Sequence, residues 1–133
     1  MALTHLTAEN FEQIIHAEGV CLIDCWAEWC QGCKQFTPVY QAASERHPST
    51  VFAALDTKAE PELTAKLKVT HIPTLILFRE GILLLRQPGH VPAEGLDEIV
   101  DKAWGLDMDH VRAEMEKEAP AQPTKREAAV DDR

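Results

Sequence analysis

The sequence shows no basic cluster and no long apolar run, and its first residues do not read as a charged, apolar leader. It carries 13 Lys and Arg against 22 Asp and Glu, a formal net charge of −9. Binding to nucleic-acid phosphates needs clustered Lys and Arg, so nucleic acid is excluded as a partner, and an anionic membrane surface for the same reason. The apolar runs Leu75–Phe78 and Ile82–Leu85 are separated by Arg79, Glu80 and Gly81. Neither approaches the length that spans a bilayer. The start, MALTHLTAEN, has no apolar h-region, so a secretory signal is not expected and the expected location is cytoplasmic. No internal repeat is visible.

What is present suits one globular domain. The 133 residues are 45% hydrophobic, enough to build a core without covalent staples. Thr7 is placed to cap a helix over about 8–17 in which Phe11, Ile14 and Ile15 share a face, and Gly19 stops it. Val20–Trp26 is almost unbroken apolar sequence, the pattern of a strand covered on both faces. A second helix is expected from about Gly32 to Arg46, burying Phe36, Val39, Tyr40 and Ala43 and kinked at Pro38. Thr50–Leu55 reads as another buried strand and Pro61–Lys66 as a short helix. Pro73 precedes a strand whose hairpin turns at Glu80-Gly81. A last helix over Ala93–Trp104 is expected to bury Leu96, Ile99, Val100, Ala103 and Trp104, and Leu3–His5 forms a weak first strand.

This order predicts an α/β fold: a central, mixed, mostly parallel sheet with helices on both faces. Residues 1–104 form the domain. Residues 105–119 carry a narrow stripe of Met108, Val111 and Met115, read as an amphipathic helical extension. Residues 120–133, with two prolines and little to bury, are expected to be a disordered tail.

All four cysteines, Cys21, Cys25, Cys30 and Cys33, fall in one short stretch. The spacing of the last three matches one iron–sulfur pattern, and all four could be counted as a zinc set. Strand geometry opposes both. Cys21 and Cys25 lie in one strand, ~13 Å apart at roughly 3.3 Å per residue, whereas two ligands of one zinc ion sit within about 4 Å. These two are read as small apolar core residues. Cys30 and Cys33 differ, because a strand ends just before them and a helix begins. Unpaired N–H groups and the helix dipole there favour a thiolate at Cys30. Cys33 lies one turn on, within disulfide reach, and Gly32 eases the tight geometry. Cys30, ionised and open to incoming proteins, attacks a substrate disulfide, and Cys33 then resolves the mixed disulfide. Asp24, a carboxylate inside an apolar strand, is either a proton acceptor for Cys33 with a raised pKa or a partly solvated strand-end residue.

Taken together, the segment DCWAEWCQGCK, the later VTHIPT and the RQPGH strand end resemble the thioredoxin family over about residues 3–104. The resemblance implies that Cys30 is the nucleophile, Cys33 the resolving thiol and Asp24 the buried proton acceptor. It implies a cis Pro73 facing the cysteine pair and a backbone at Ile72 that pairs with an extended substrate segment. Trp29, Ile72, Pro88 and Gly89 then form an apolar patch, with Trp26, Gln31 and Gly32 supporting it. Three departures stand out. Gln31-Gly32 replaces the family's common Gly-Pro, a change associated with a more oxidising site. Ala54 stands where many relatives carry a lysine near the buried acid. Cys25 replaces a usual aromatic and points away from Asp24. His71 and His90 flank the substrate surface, as solvated loop residues or as electrostatic neighbours of Cys30.

The expected activity is thiol–disulfide exchange with protein substrates, needing no cofactor beyond the Cys30–Cys33 disulfide. The family suggests a thioredoxin reductase as electron donor, and roles in electron transport and cell redox homeostasis. The alternative is a binding or chaperone-like adaptor that uses the patch and the C-terminal extension.

Overall fold

The computed structural model describes residues 3–17 and 19–118. The expected tail over 120–133 lies outside them. The chain runs β1 (Thr4–His5), α1 (Phe11–Ile15), β2 (Val20–Trp26), α2 (Gln31–Arg46), β3 (Val51–Asp56), α3 (Pro61–Lys66), β4 (Thr74–Arg79), β5 (Ile82–Pro88), α4 (Ala93–Trp104) and α5 (Met108–Glu118). The five strands form one sheet in the order β1-β3-β2-β4-β5. β3 pairs in parallel with β1 and β2, while β4 pairs antiparallel with β2 and β5.

The sheet has an apolar layer on each face, which is why β2 reads as a continuous apolar run. Cys21, Ile23 and Cys25 point to the face covered by Phe11 and Ile15 of α1 and Leu63 of α3. Val20 and Leu22 point to the other face, under Phe36, Tyr40 and Ala43 of α2 and Leu96 and Val100 of α4. Alternation along a strand makes this division. It places Asp24 on the α2 side and Cys25 on the opposite side.

Several expected boundaries move by a few residues. Helix α1 begins at Phe11, because Thr7 and Asn10 bond each other first: the Thr7 N–H donates to Asn10 Oδ1 (2.7 Å) and the Asn10 N–H to Thr7 Oγ1 (3.3 Å). The hairpin turns at Glu80-Gly81, both with positive φ (55° and 83°), the backbone of a type I′ turn. Trp104 does not join the core as expected and is 39% exposed. Its Nε1 donates to Thr50 Oγ1 at 2.8 Å, and the Arg79 guanidinium lies 5.6 Å from its ring centre. A polar edge held at the surface outweighs full burial here. Gly19 (φ 101°) lets this ring approach, since a Cβ there would stand 2.7 Å from it.

Helix α5 spans Met108–Glu118, and its apolar stripe is only partly covered. Met108 is buried, Val111 half-buried and Met115 exposed. Polar contacts hold the extension to the domain. Arg79 Nη1 donates to the carbonyls of Ala103 (2.7 Å) and Leu106 (2.9 Å), and Arg112 pairs with Glu80 at 2.8 Å.

Tyr40 is the largest fully buried side chain, and its hydroxyl donates to the Ala53 carbonyl at 2.7 Å. Tyr40→Phe keeps the ring but removes this donor. It should destabilise the fold by about 1–2 kcal/mol, read as a lower urea midpoint with unchanged denaturant slope.

Candidate active site

The site grows from the junction of β2 and α2. β2 ends at Trp26, and Ala27–Trp29 turn the chain so that Cys30 occupies the N-cap of α2 in extended conformation (φ −89°, ψ 110°). Its sulfur accepts the Cys33 backbone N–H at 3.0 Å. The two cysteines form a disulfide with Cα atoms 5.3 Å apart, inside the usual range. Thr37, one turn on, donates its hydroxyl to the Cys33 carbonyl at 2.9 Å. Pro38 follows inside the helix, where it cannot donate to the carbonyl four residues back.

Pro73 faces this pair. The Ile72–Pro73 bond is cis. A Cβ added at Gly32 would meet Pro73 Cδ at 3.4 Å, so the proline ring lies against the helix start between the cysteines. The Gly89 N–H donates to the Pro73 carbonyl at 2.8 Å, and Pro88 pairs with Thr74 across β4 and β5. Pro88 and Gly89 are thereby held beside Pro73. Trp29, 72% exposed, lines a shallow groove of about 200 Å³ with Ile72, His71, Thr70 and Val69. Gln31 is exposed and Gly32 half-buried. His71 Nδ1 lies 3.0 Å from Thr70 Oγ1, and His90 packs edge-on against Phe36, their ring centres 5.3 Å apart.

Cys30 is more covered than the sequence reading expects. In the disulfide form it is 5% exposed and Cys33 2%, packed with Ala27, Trp26 and Ile72 in a small apolar cluster. The bond turns the Cys30 sulfur toward Cys33 and the helix start. Ala27, part of this cluster, escapes sequence reading because a lone alanine in a turn gives no pattern.

Asp24 is 1% exposed, and its Oδ1 has no hydrogen-bond partner among the described residues. Burial pushes its carboxyl up from 3.8 to about 7, because a charge in a low-dielectric interior loses its hydration. This excludes the solvated strand-end reading. Across the sheet Asp24 pairs with Ala54, whose methyl offers neither charge nor hydrogen bond. Asp24 lines a cavity of about 430 Å³ with Leu3, His5, Trp26, Thr37, Gln41 and Ala54. The sequence reading does not anticipate Leu3, His5, Thr37 and Gln41 here. Only the strand order puts β1 within reach of Asp24.

Cys21 and Cys25 are free and buried, and burial pushes both thiols up to about 12. Thiolates do not form there at neutral pH, and β2 holds both as core residues on the face away from Asp24. Among the described residues, no group of three or more His, Cys, Asp or Glu is placed to hold a metal ion.

The family model described as Thioredoxin matches residues 2–102. The chain belongs to the thioredoxin family. It is 46% identical over 117 residues to putative thioredoxin 2 of Streptomyces coelicolor, covering 87% of each chain. It is 38% identical over 103 residues to a thioredoxin of Staphylococcus haemolyticus, covering 77% of this chain and 98% of that one. Among solved structures, oxidised mitochondrial thioredoxin 3 of Saccharomyces cerevisiae superposes with TM-score 0.70 at 27% identity, over 75% of this chain and 94% of that one. A Plasmodium falciparum thioredoxin superposes with TM-score 0.69 at 27% identity, over 75% and 98%. The chain has the thioredoxin fold and is a thiol–disulfide oxidoreductase. The pure adaptor reading is not favoured, since the family and the paired cysteines both point to exchange chemistry.

Proposed function

We propose that this chain reduces disulfides in extended polypeptide segments, with Cys30 as nucleophile, Cys33 as resolving thiol and Asp24 as the acceptor of the Cys33 proton. The observation that carries this reading is the placement of the Cys30–Cys33 pair at the start of α2 against Pro73. In the reduced protein, the N–H groups of the first helical turn favour negative charge on the Cys30 sulfur. That thiolate attacks one sulfur of the substrate, and the other leaves as a thiolate. Asp24 takes the proton from Cys33, which attacks Cys30, re-forms the disulfide and releases the second substrate sulfur. The buried acid suits this task because a carboxyl brought near 7 both accepts and returns a proton at neutral pH.

Trp29, Ile72, Pro73, Pro88 and Gly89 form the substrate surface. The substrate strand pairs with the backbone at Ile72, and the apolar patch seats its flanking side chains. Trp26 and Gly32 support the site by packing, and Gln31 leaves the helix start without a proline. No cofactor takes part beyond the Cys30–Cys33 disulfide. A thioredoxin reductase is the proposed donor, so the chain carries electron pairs to protein disulfides and contributes to redox homeostasis. No helix among the described residues is long and apolar enough to cross a membrane. The free, buried Cys21 and Cys25 suit a reducing compartment, and the cytoplasm is the proposed one.

Redox titration of the Cys30–Cys33 pair against glutathione or dithiothreitol tests the direction of flow. A midpoint near about −270 mV is expected for a reductase. A midpoint between roughly −180 and −120 mV overturns that direction and makes the chain an oxidant or isomerase.

A further inference from the structure

The Asp24 cavity has a second polar end. His5 on β1 and Asp24 on β2 both pair with Ala54 on β3, in one row across the parallel part of the sheet. Neighbouring strands lie about 4.8 Å apart, so the backbones at His5 and Asp24 are roughly 10 Å apart. Ala54 stands between them in the register. Thr37 and Gln41, one turn apart on α2, complete the lining of the 430 Å³ space. Water occupies about 30 Å³ per molecule in the liquid and needs two to four polar partners in a cavity. This space can hold a short water chain between the unpartnered Asp24 Oδ1 and the exposed His5.

Among the described residues, the groups around Asp24 leave one candidate for exchange with solvent. β3 and β4 present Ala54 and Leu75 at its level, and neither titrates. Further along β3, Asp56 pairs with Trp26, and its carboxylate accepts the Lys58 and Ala59 N–H groups outside the cavity lining. On β2, Cys25 points to the opposite face. On α2, Cys33 is the proposed proton donor, and the buried Tyr40 hydroxyl is engaged with the Ala53 carbonyl. Asp97 of α4 is bound to Arg46 and His47 at the far end of α2. Among the described residues, His5 alone lines the cavity, meets solvent and carries an imidazole, whose two ring nitrogens can accept one proton and donate another.

We propose that this cavity is the proton route between Asp24 and solvent, with His5 as the relay at its mouth. The proposal rests on Asp24 as the Cys33 proton acceptor. In the resolving step the Cys33–Cys30 bond forms, the Cys30–substrate bond breaks and its electron pair leaves on the substrate sulfur. The Cys33 proton is then on Asp24. It passes through cavity water to the His5 imidazole, and from His5 to bulk water or buffer. Asp24 is again a carboxylate, and no electrons move in the relay.

The test measures turnover of a disulfide-bonded protein by the full chain in dilute buffer, with and without added imidazole. His5→Gln is expected to slow turnover roughly 10-fold and to recover with imidazole, while wild type is indifferent to it. Ala54→Leu, which fills the route, is expected to be slow and not rescued. Asp24→Asn separates the two layers. If Asp24→Asn is slow but His5→Gln matches wild type in dilute buffer, the relay is overturned and the acceptor stands. If Asp24→Asn runs at the wild-type rate, the acceptor is overturned and the relay with it. A slow His5→Gln that imidazole does not restore also overturns the relay, since a structural defect has no reason to respond to a diffusible base. His5 is exposed, so His5→Gln should fold even if Ala54→Leu does not.

Discussion

Cys30→Ser is expected to abolish disulfide reduction, whereas Cys33→Ser should perform the first half of the reaction and stop. A serine hydroxyl at residue 30 stays protonated at neutral pH even at a helix start, so no nucleophile meets the substrate. The loss should be on the order of 10³-fold or more, the scale on which removal of a covalent nucleophile acts. In Cys33→Ser the Cys30 thiolate still attacks, but nothing displaces the substrate from the mixed disulfide. A covalent adduct should therefore accumulate on Cys30, visible as an intact-mass shift that dithiothreitol removes. Turbidity from reduced protein substrate reads the first variant, and mass spectrometry the second. The other cysteines cannot substitute. Cys21 and Cys25 are buried with thiols pushed up to about 12. Wild-type turnover by Cys30→Ser would therefore remove the chemistry from this site altogether. Failure of Cys33→Ser to trap substrate would limit the damage to the resolving role.

Much of this site can be read along the chain because its chemistry is local. Cys30, Gln31, Gly32 and Cys33 are neighbours in sequence, and the switch from apolar strand to amphipathic helix fixes where the helix begins. The apolar run of β2 likewise reveals a strand covered on both sides, with matching bounds at Val20 and Trp26. What escapes depends on contacts between distant segments. β1, two residues long, is legible as a weak first strand, but its place beside β3, which brings His5 to the Asp24 cavity, is not. Helix α1 starts late because the mutual Thr7–Asn10 bonds make a turn that competes with the helix. Trp104 sits on the apolar stripe of α4 but ends at the surface, because Thr50 and Arg79, far away in sequence, bind its edge and face. The covering of Cys30 depends on Ile72, which arrives from the β4 side of the sheet. Asp24 is the intermediate case. Its oddity inside an apolar strand is visible in sequence, but the size of the space beside it depends on the Ala54 register.

Asp24→Asn is expected to gain stability relative to wild type as pH rises, by roughly 4 kcal/mol between pH 4 and pH 9. The folded carboxyl is raised from 3.8 to about 7 by burial. Below pH 4 both folded and unfolded chains hold the proton, and its contribution to stability is fully present. Between pH 4 and pH 7 the unfolded chain has released the proton while the folded chain still binds it, so stability falls with rising pH. Above pH 7 the folded carboxyl is ionised and the loss is complete. A tenfold difference in proton affinity between the folded and unfolded chains corresponds to about 1.36 kcal/mol, which sets the total at about 4 kcal/mol. Asparagine keeps the volume and removes the titration. Any fixed cost of its unpaired amide is the same at every pH, so the change in the difference is the quantity to measure. Urea unfolding of both oxidised proteins at pH 4, 7 and 9 supplies it. A difference that stays flat over this range means that the carboxyl titrates in the folded chain as it does in water, and its role as a neutral-pH proton acceptor fails with it. A difference that grows, together with a slower resolving step in the same variant, ties the two properties to one cause. The burial that brings the Asp24 carboxyl to about 7 is the burial that costs the fold stability at neutral pH.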